Sequence, residues 1–158
     1  MKVTIPSIPA SGGSYKVVVD PGLLRERLAD RLDIERFVAC RAELTAERVD
    51  LTVTVRGAIT VEMLADCSRC AEALEATLRF PLHMVLLPRP SRSGPTEEDL
   101  DTGYHNRREI DLDRLIVDQV VLSMPAVLLC DPKCRGLCPG CGANLNEGPC
   151  ACGDERKG

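Results

Sequence analysis

The chain has 158 residues, nine of them cysteine and none tryptophan, with a net charge of -4 and a pI near 5.3. That balance argues against a free-standing nucleic-acid binder, which is usually basic. No apolar run is long enough to span a bilayer, and Met-Lys-Val-Thr-Ile-Pro-Ser-Ile-Pro at the start lacks the charged-then-apolar pattern of a secretory signal. The expectation is a cytoplasmic protein without membrane partners, in which clustered cysteines point to metal rather than to disulfides.

Tyr15–Val19 reads as a short strand. Asp20-Pro21-Gly22 then offers a cap and a proline at the first helical position. Leu24, Leu28 and Leu32 recur every four residues and predict one amphipathic helix. Period-two alternation follows. Val38, Cys40, Ala42 and Leu44 share one face of a strand; Val49, Leu51, Val53 and Val55 share the face of the next. Ile59, Val61, Met63 and Ala65 continue the series, then Leu74, Ala76, Leu78 and Phe80. Half-buried strands with short connections predict an antiparallel meander or a partly open barrel.

Residues 88–109 break this pattern. Pro88, Pro90, Gly94 and Pro95 mark a loop, and Glu97, Glu98, Asp99 and Asp101 make it acidic. The expectation is a solvated, mobile excursion. Asp111 caps a helix that runs through Met124 and ends at Pro125. Leu112, Leu115, Ile116, Val117, Val120, Val121 and Leu122 make it apolar nearly all round, so burial on the open sheet face is expected. The fold class is α+β: a sheet domain with packed helices over residues 1–125, and a cysteine-rich zinc-binding tail over 126–158.

Within that tail, residues 130–153 hold six thiols and almost no apolar side chains besides Leu137 and Leu145, too few to fold by hydrophobic packing alone. Cys138-Pro-Gly-Cys141-Gly has the shape of a zinc knuckle. Cys67-Ser-Arg-Cys70 falls between two alternating strands, where a hairpin tip belongs, and offers half of another site. Cys130 and Cys134 follow the helix that should pack on this sheet, so they are its expected complement. Cys138 and Cys141 then join Cys150 and Cys152. The rival partitions are a single tail site built from Cys134 or Cys130 with Cys138, Cys141 and Cys150, and a Cys67/Cys70 pair that is merely reduced surface thiols. Cys40 lies on the apolar face of its strand and reads as a core residue.

Two all-thiolate Zn2+ sites would be structural, because catalytic zinc keeps an open position and favours histidine or carboxylate ligands. His83 and His105 read as ordinary, partly exposed side chains. No phosphate loop and no nucleophile–histidine–acid set is present, so no enzyme is expected. Cys67-Ser-Arg-Cys70 does not open a helix within a βαβ unit, as a thioredoxin-like site would. A zinc- or thiol-dependent redox or regulatory protein is the alternative, and it requires reversible metal release at Cys67/Cys70.

Taken together, Cys67-x-Arg69-Cys70, Ile110-Asp111-Leu112, Met124-Pro125 and Cys134-Arg-Gly-Leu-Cys138-Pro-Gly-Cys141-Gly-Ala-Asn-Leu-Asn with Cys150-x-Cys152 resemble the bacterial YceD family, the large ribosomal RNA subunit accumulation proteins. The resemblance spans nearly the whole chain. It implies a cytoplasmic, non-enzymatic factor in ribosome biogenesis that supports 23S rRNA accumulation and large-subunit assembly. Family members often carry leucine where this chain has Ala71, and some lack most tail cysteines. The implied partners are large-subunit rRNA or proteins of a pre-ribosomal particle, with no small-molecule substrate. Arg69, Lys133, Arg135 and Arg56 would serve RNA contact; an exposed apolar strip on the 111–124 helix would serve a protein partner.

Overall fold

Alternating β-branched and charged residues put one apolar face on each of three long strands. The computed structural model describes residues 1–88, the backbone of 102–105, residues 108–150 and residue 152. Among these, β1 is Lys2–Thr4, β2 Gly13–Val19, β3 Ile34–Val49, β4 Thr52–Asp66, β5 Ala73–Pro88, β6 Thr102–His105 and β7 Glu109–Asp111. Helix α1 covers Pro21–Arg27 and α2 covers Leu112–Ser123. The main sheet has the order β2-β3-β4-β5-β6 and is not closed; β1 and β7 form a separate two-stranded ribbon.

The pairings β2–β3, β3–β4 and β4–β5 are antiparallel. The last step departs from a meander, since β6 runs parallel to the end of β5. The expected excursion over 88–109 therefore contains strand at 102–105, and the strand 109–111 begins at its last residue. Residues 89–101, 106 and 107 lie outside the described residues, as does the side chain of His105.

Two of the expected strands are one. β4 runs unbroken through Gly57, which pairs with Leu44 on one side and Leu82 on the other. A Cβ at Gly57 would stand 2.1 Å from the Glu43 carbonyl oxygen, so the strands approach too closely for any side chain there. Between β3 and β4 the turn is only Asp50-Leu51, with Asp50 at φ 54°.

Val53, Val55, Ile59, Val61, Met63 and Ala65 all face the core, and so do Cys40, Ala42 and Leu44. Three residues expected on the strands' apolar faces do not. Val38 is exposed because β3 shifts register between Ile34 and Arg36 and again between Phe37 and Ala39. Each shift inserts a residue and swaps the strand's faces, so Ile34 and Phe37 turn inward instead. Val49 and Leu51 are exposed because they flank or occupy the turn. Helix α1 ends at Arg27, so Leu24 is buried and Leu28 half-buried, while Leu32 lies beyond the helix and is 90% exposed.

Asp20 and Asp111 cap the two helices as their sequences predict. The Asp20 carboxylate accepts from the Gly22 N–H at 3.0 Å and that of Asp111 from the Arg114 N–H at 3.3 Å. Leu112, Leu115, Ile116, Val117 and Val120 bury α2 in the same core as β2–β5, α1 and the N-terminal residues Val3, Ile5 and Ile8. Leu122 points away and is 80% exposed. This packing carries the chain past Pro125 to the tip of the β4–β5 hairpin, where Leu128 is still part of the core.

Candidate metal centres

The β4–β5 hairpin ends in Cys67-Ser-Arg-Cys70-Ala71-Glu72. The Cys67 N–H donates to the Glu72 carbonyl at 2.8 Å and the Ala71 N–H to the Cys67 carbonyl at 2.8 Å. Cys138-Pro-Gly-Cys141-Gly142 repeats this turn, with the Gly142 N–H donating to the Cys138 carbonyl at 2.8 Å. The residue after the second cysteine has positive φ in both: 56° at Ala71 and 75° at Gly142. Both cysteines of each pair thereby face the same side, as one metal ion requires.

The segment after α2 is laid across the hairpin tip by direct bonds. The Ser68 N–H donates to the Leu128 carbonyl at 2.8 Å, and the Leu128 N–H returns to Ser68 Oγ at 3.1 Å. The Arg69 guanidinium donates to the Cys134 carbonyl at 2.8 Å, and the Leu137 N–H to the Arg69 carbonyl at 3.0 Å. Gly136, at φ 76°, passes so close that a Cβ there would lie 2.9 Å from the Arg69 carbonyl oxygen.

These bonds gather eight sulfurs into two groups, Cys67, Cys70, Cys130 and Cys134, and Cys138, Cys141, Cys150 and Cys152, each with its sulfurs within 4.8 Å of one another. A tetrahedral ion with Zn–S bonds of about 2.3 Å separates its sulfurs by roughly 3.8 Å. In the first group Cys67 and Cys134 are 3.8 Å apart, and Cys70 and Cys130 are 3.6 Å apart. Both groups could hold a metal ion. Cys67, Cys70 and Cys134 are buried and Cys130 exposed; the second group is more open, with only Cys138 buried. Cys40 sits elsewhere, in the main core.

Electrostatics within each group point to a cation. Burial alone would push the Cys67 thiol up, but backbone N–H groups of Cys130, Arg69 and Cys70 outweigh it and bring Cys67 down to about 6. The Glu72 amide favours the Cys70 thiolate, yet burial and the thiols of Cys67, Cys130 and Cys134 push Cys70 up to about 12. In the second group the Gly140 and Cys141 N–H groups bring Cys138 down to about 6, while Cys141 pushes Cys152 up to about 12. Four thiolates this close share protons unless a divalent ion replaces them.

Around the sulfurs lie residues to which the sequence assigned no role. Asn146 donates from Nδ2 to Cys134 Sγ at 3.3 Å, and the Cys70 thiol lies 3.7 Å from a Glu72 carboxylate oxygen. The Gly140 N–H donates to Cys138 Sγ at 3.4 Å. Asn144-Leu-Asn146 could have been noticed as a turn, because asparagines at i and i+2 bond their own backbone; its position against the first group depends on the fold. Of the cations singled out, Arg69 is engaged with the Cys134 carbonyl. Lys133 and Arg135 expose their side chains beside it, and Arg56 lies on the outer sheet face in an ion pair with Glu47. His83 is exposed on that same face.

Fold and site define an open, mostly antiparallel sheet protein with two all-cysteine clusters able to take metal. The chain belongs to the YceD family, described as Large ribosomal RNA subunit accumulation protein YceD, which matches residues 55–157 and so includes both clusters. Uncharacterized proteins of Mycobacterium tuberculosis and Mycobacterium bovis are each 29% identical over 141 residues, covering 89% of this chain. The chain spans 61% of the length of those relatives. The Arabidopsis thaliana protein named Large ribosomal RNA subunit accumulation protein YCED homolog 1, chloroplastic, is 46% identical over 50 residues, 32% of this chain and 16% of the plant protein. No solved structure matches. Among the described residues, no helix is long and apolar enough to cross a membrane.

Proposed function

We propose that this chain is a non-enzymatic bacterial factor that supports 23S rRNA accumulation and assembly of the large ribosomal subunit in the cytoplasm. The observation that carries the reading is the family match over 55–157, which contains every cysteine of the two clusters. Two structural Zn2+ ions, one per cluster, would join the hairpin tip and the tail into one rigid end. All-thiolate donors leave an ion weakly Lewis-acidic, which suits a scaffold rather than a catalyst. Among the described residues, Lys133 and Arg135 are exposed cations of that end whose ammonium and guanidinium groups make no bond to the cluster, and they are the candidates for phosphate contact with large-subunit rRNA or with an assembling particle. Arg69 supports this surface by holding Cys134 in place.

Deleting the gene should lower mature 23S rRNA relative to 16S rRNA and deplete the large subunit in gradient profiles. The wild-type chain should restore both. A Lys133→Glu/Arg135→Glu variant should retain its zinc and fail to restore them, and its association with particles should weaken with salt in the wild type and be absent in the variant. Unchanged rRNA ratios and subunit profiles under slow, fast and cold growth would sink the reading and favour a redox or regulatory role for the thiols.

A further inference from the structure

Only Arg135, Gly136 and Leu137 separate Cys134 of the first cluster from Cys138 of the second. The two clusters are joined again through space, by the loop that the second cluster closes. Residues 142–149 run between Cys141 and Cys150, both members of the second cluster. This loop folds back onto the segment between the clusters: the Cys138 N–H donates to the Ala143 carbonyl at 2.8 Å, and the Leu145 N–H to the Gly136 carbonyl at 2.9 Å. Its two asparagines then serve the first cluster. Asn146 Nδ2 donates to Cys134 Sγ at 3.3 Å while its Oδ1 accepts from the Arg135 N–H at 2.7 Å. Asn144 Nδ2 donates to Glu72 Oε1 at 2.8 Å, and the other Glu72 oxygen lies 3.7 Å from Cys70 Sγ. Asn144 also orients Asn146, accepting its backbone N–H at 3.0 Å.

An N–H donated to a thiolate disperses its charge and fixes the sulfur's direction, and groups in this position commonly set metal affinity. Here the donor is held by the neighbouring cluster. We infer that the two clusters load metal cooperatively, with Asn146, backed by Asn144, as the positioning residue that couples closure of the second cluster to the affinity of the first. This inference rests on the two-ion reading above. The second cluster is the more open of the two, so it can load first; its closure then orders the asparagines over Cys134 and Glu72. Linkage requires the reverse effect to be equal in size.

The test is a cycle on the full-length chain, read by zinc competition with a chromogenic chelator and by the sulfur-to-cobalt charge-transfer band after Co2+ substitution. A Cys141→Ser/Cys150→Ser variant removes the second cluster and isolates the signal of the first. The first cluster should then bind about 10–100-fold more weakly than in the wild type. Asn146→Ala keeps all eight cysteines and should still take two equivalents, with the first cluster weakened similarly and its cobalt band shifted. Asn146→Asp, which keeps the acceptor for the Arg135 N–H but loses the donor to sulfur, should behave like Asn146→Ala. Adding Asn146→Ala to the cysteine double variant should cost nothing more, and Cys70→Ser should weaken the second cluster by the same factor. First-cluster affinity and cobalt band unchanged in both the asparagine variants and the cysteine double variant would overturn the coupling and leave the two-ion reading standing. A wild-type chain that takes fewer than two equivalents overturns the two-ion reading, and the coupling with it.

Discussion

Ala71 holds a backbone conformation that costs an L-residue about 1–2 kcal/mol and costs glycine nothing. Gly142 fills the equivalent place in the other turn. Ala71→Gly should therefore stabilise the chain, by up to about 1 kcal/mol once the extra freedom of the unfolded glycine is deducted; chemical denaturation at fixed metal content measures it. Cys40 is 0% exposed, between Val19 and Val61 on the neighbouring strands. Cys40→Ala should cost roughly 1 kcal/mol through lost packing and leave the zinc content unchanged. Burial, and then the charge of Asp113, push this thiol up to about 11. The unfolded thiol ionises near 8.5, so above that pH the unfolded state sheds a proton the folded state keeps. Stability from this group is full below about 8.5 and declines as the pH rises toward 11. Cys40→Ala should flatten that decline in a pH series of melts.

At the scale of elements, the sheet and the tail are held by different forces. The sheet buries Val53, Val55, Ile59, Val61 and Leu82 in one core with α2, so its stability comes from apolar area. In the tail, Leu137 is 42% exposed and Leu145 only half-buried, and a bound zinc can supply about 10–16 kcal/mol to such a module. Cys141→Ser should thus abolish order over 138–152 while the sheet keeps its far-UV signal and its thermal transition. Loss of the sheet transition in that variant would show that the two elements fold as one. The β4–β5 hairpin belongs to both: its length comes from the sheet, and its tip is half of the first cluster.

For the whole molecule, the crossing from α2 to the hairpin tip is held by Arg31. Its guanidinium donates to the Pro125 carbonyl at 2.8 Å and forms a bidentate pair with Asp33 at 2.8 and 2.7 Å. That pair holds the Asp33 carboxyl below its ordinary range, chiefly through the Arg31 hydrogen bonds. A lowered folded pKa means the stabilisation is present above the unfolded value near 3.9 and lost as pH falls through the folded one. Asp33→Asn should reduce the acid sensitivity of unfolding below pH about 4, and hydrogen exchange should quicken at residues 126–130.

Much of this was legible in the chain itself, for reasons that are local. Period-two alternation in 38–45, 49–56, 59–65 and 74–80 marks extended chain and most of its inward faces, because side-chain direction is set by the backbone of the same strand. Asp20 and Asp111 announce helix starts because a cap acts within one turn. C-x-x-C spacing brings two sulfurs to one side because the turn is closed by its own hydrogen bond. What tertiary structure decided is whatever depends on a distant partner. The register shifts that turn Val38 outward arise from β3's pairing with β4, and the unbroken run through Gly57 from the close approach of Leu44. β6 pairs with β5 across residues that carry no alternation of their own. The placing of Asn146 against Cys134 needs the hairpin, α2 and the tail to meet at one point, and no spacing within a single segment encodes that meeting.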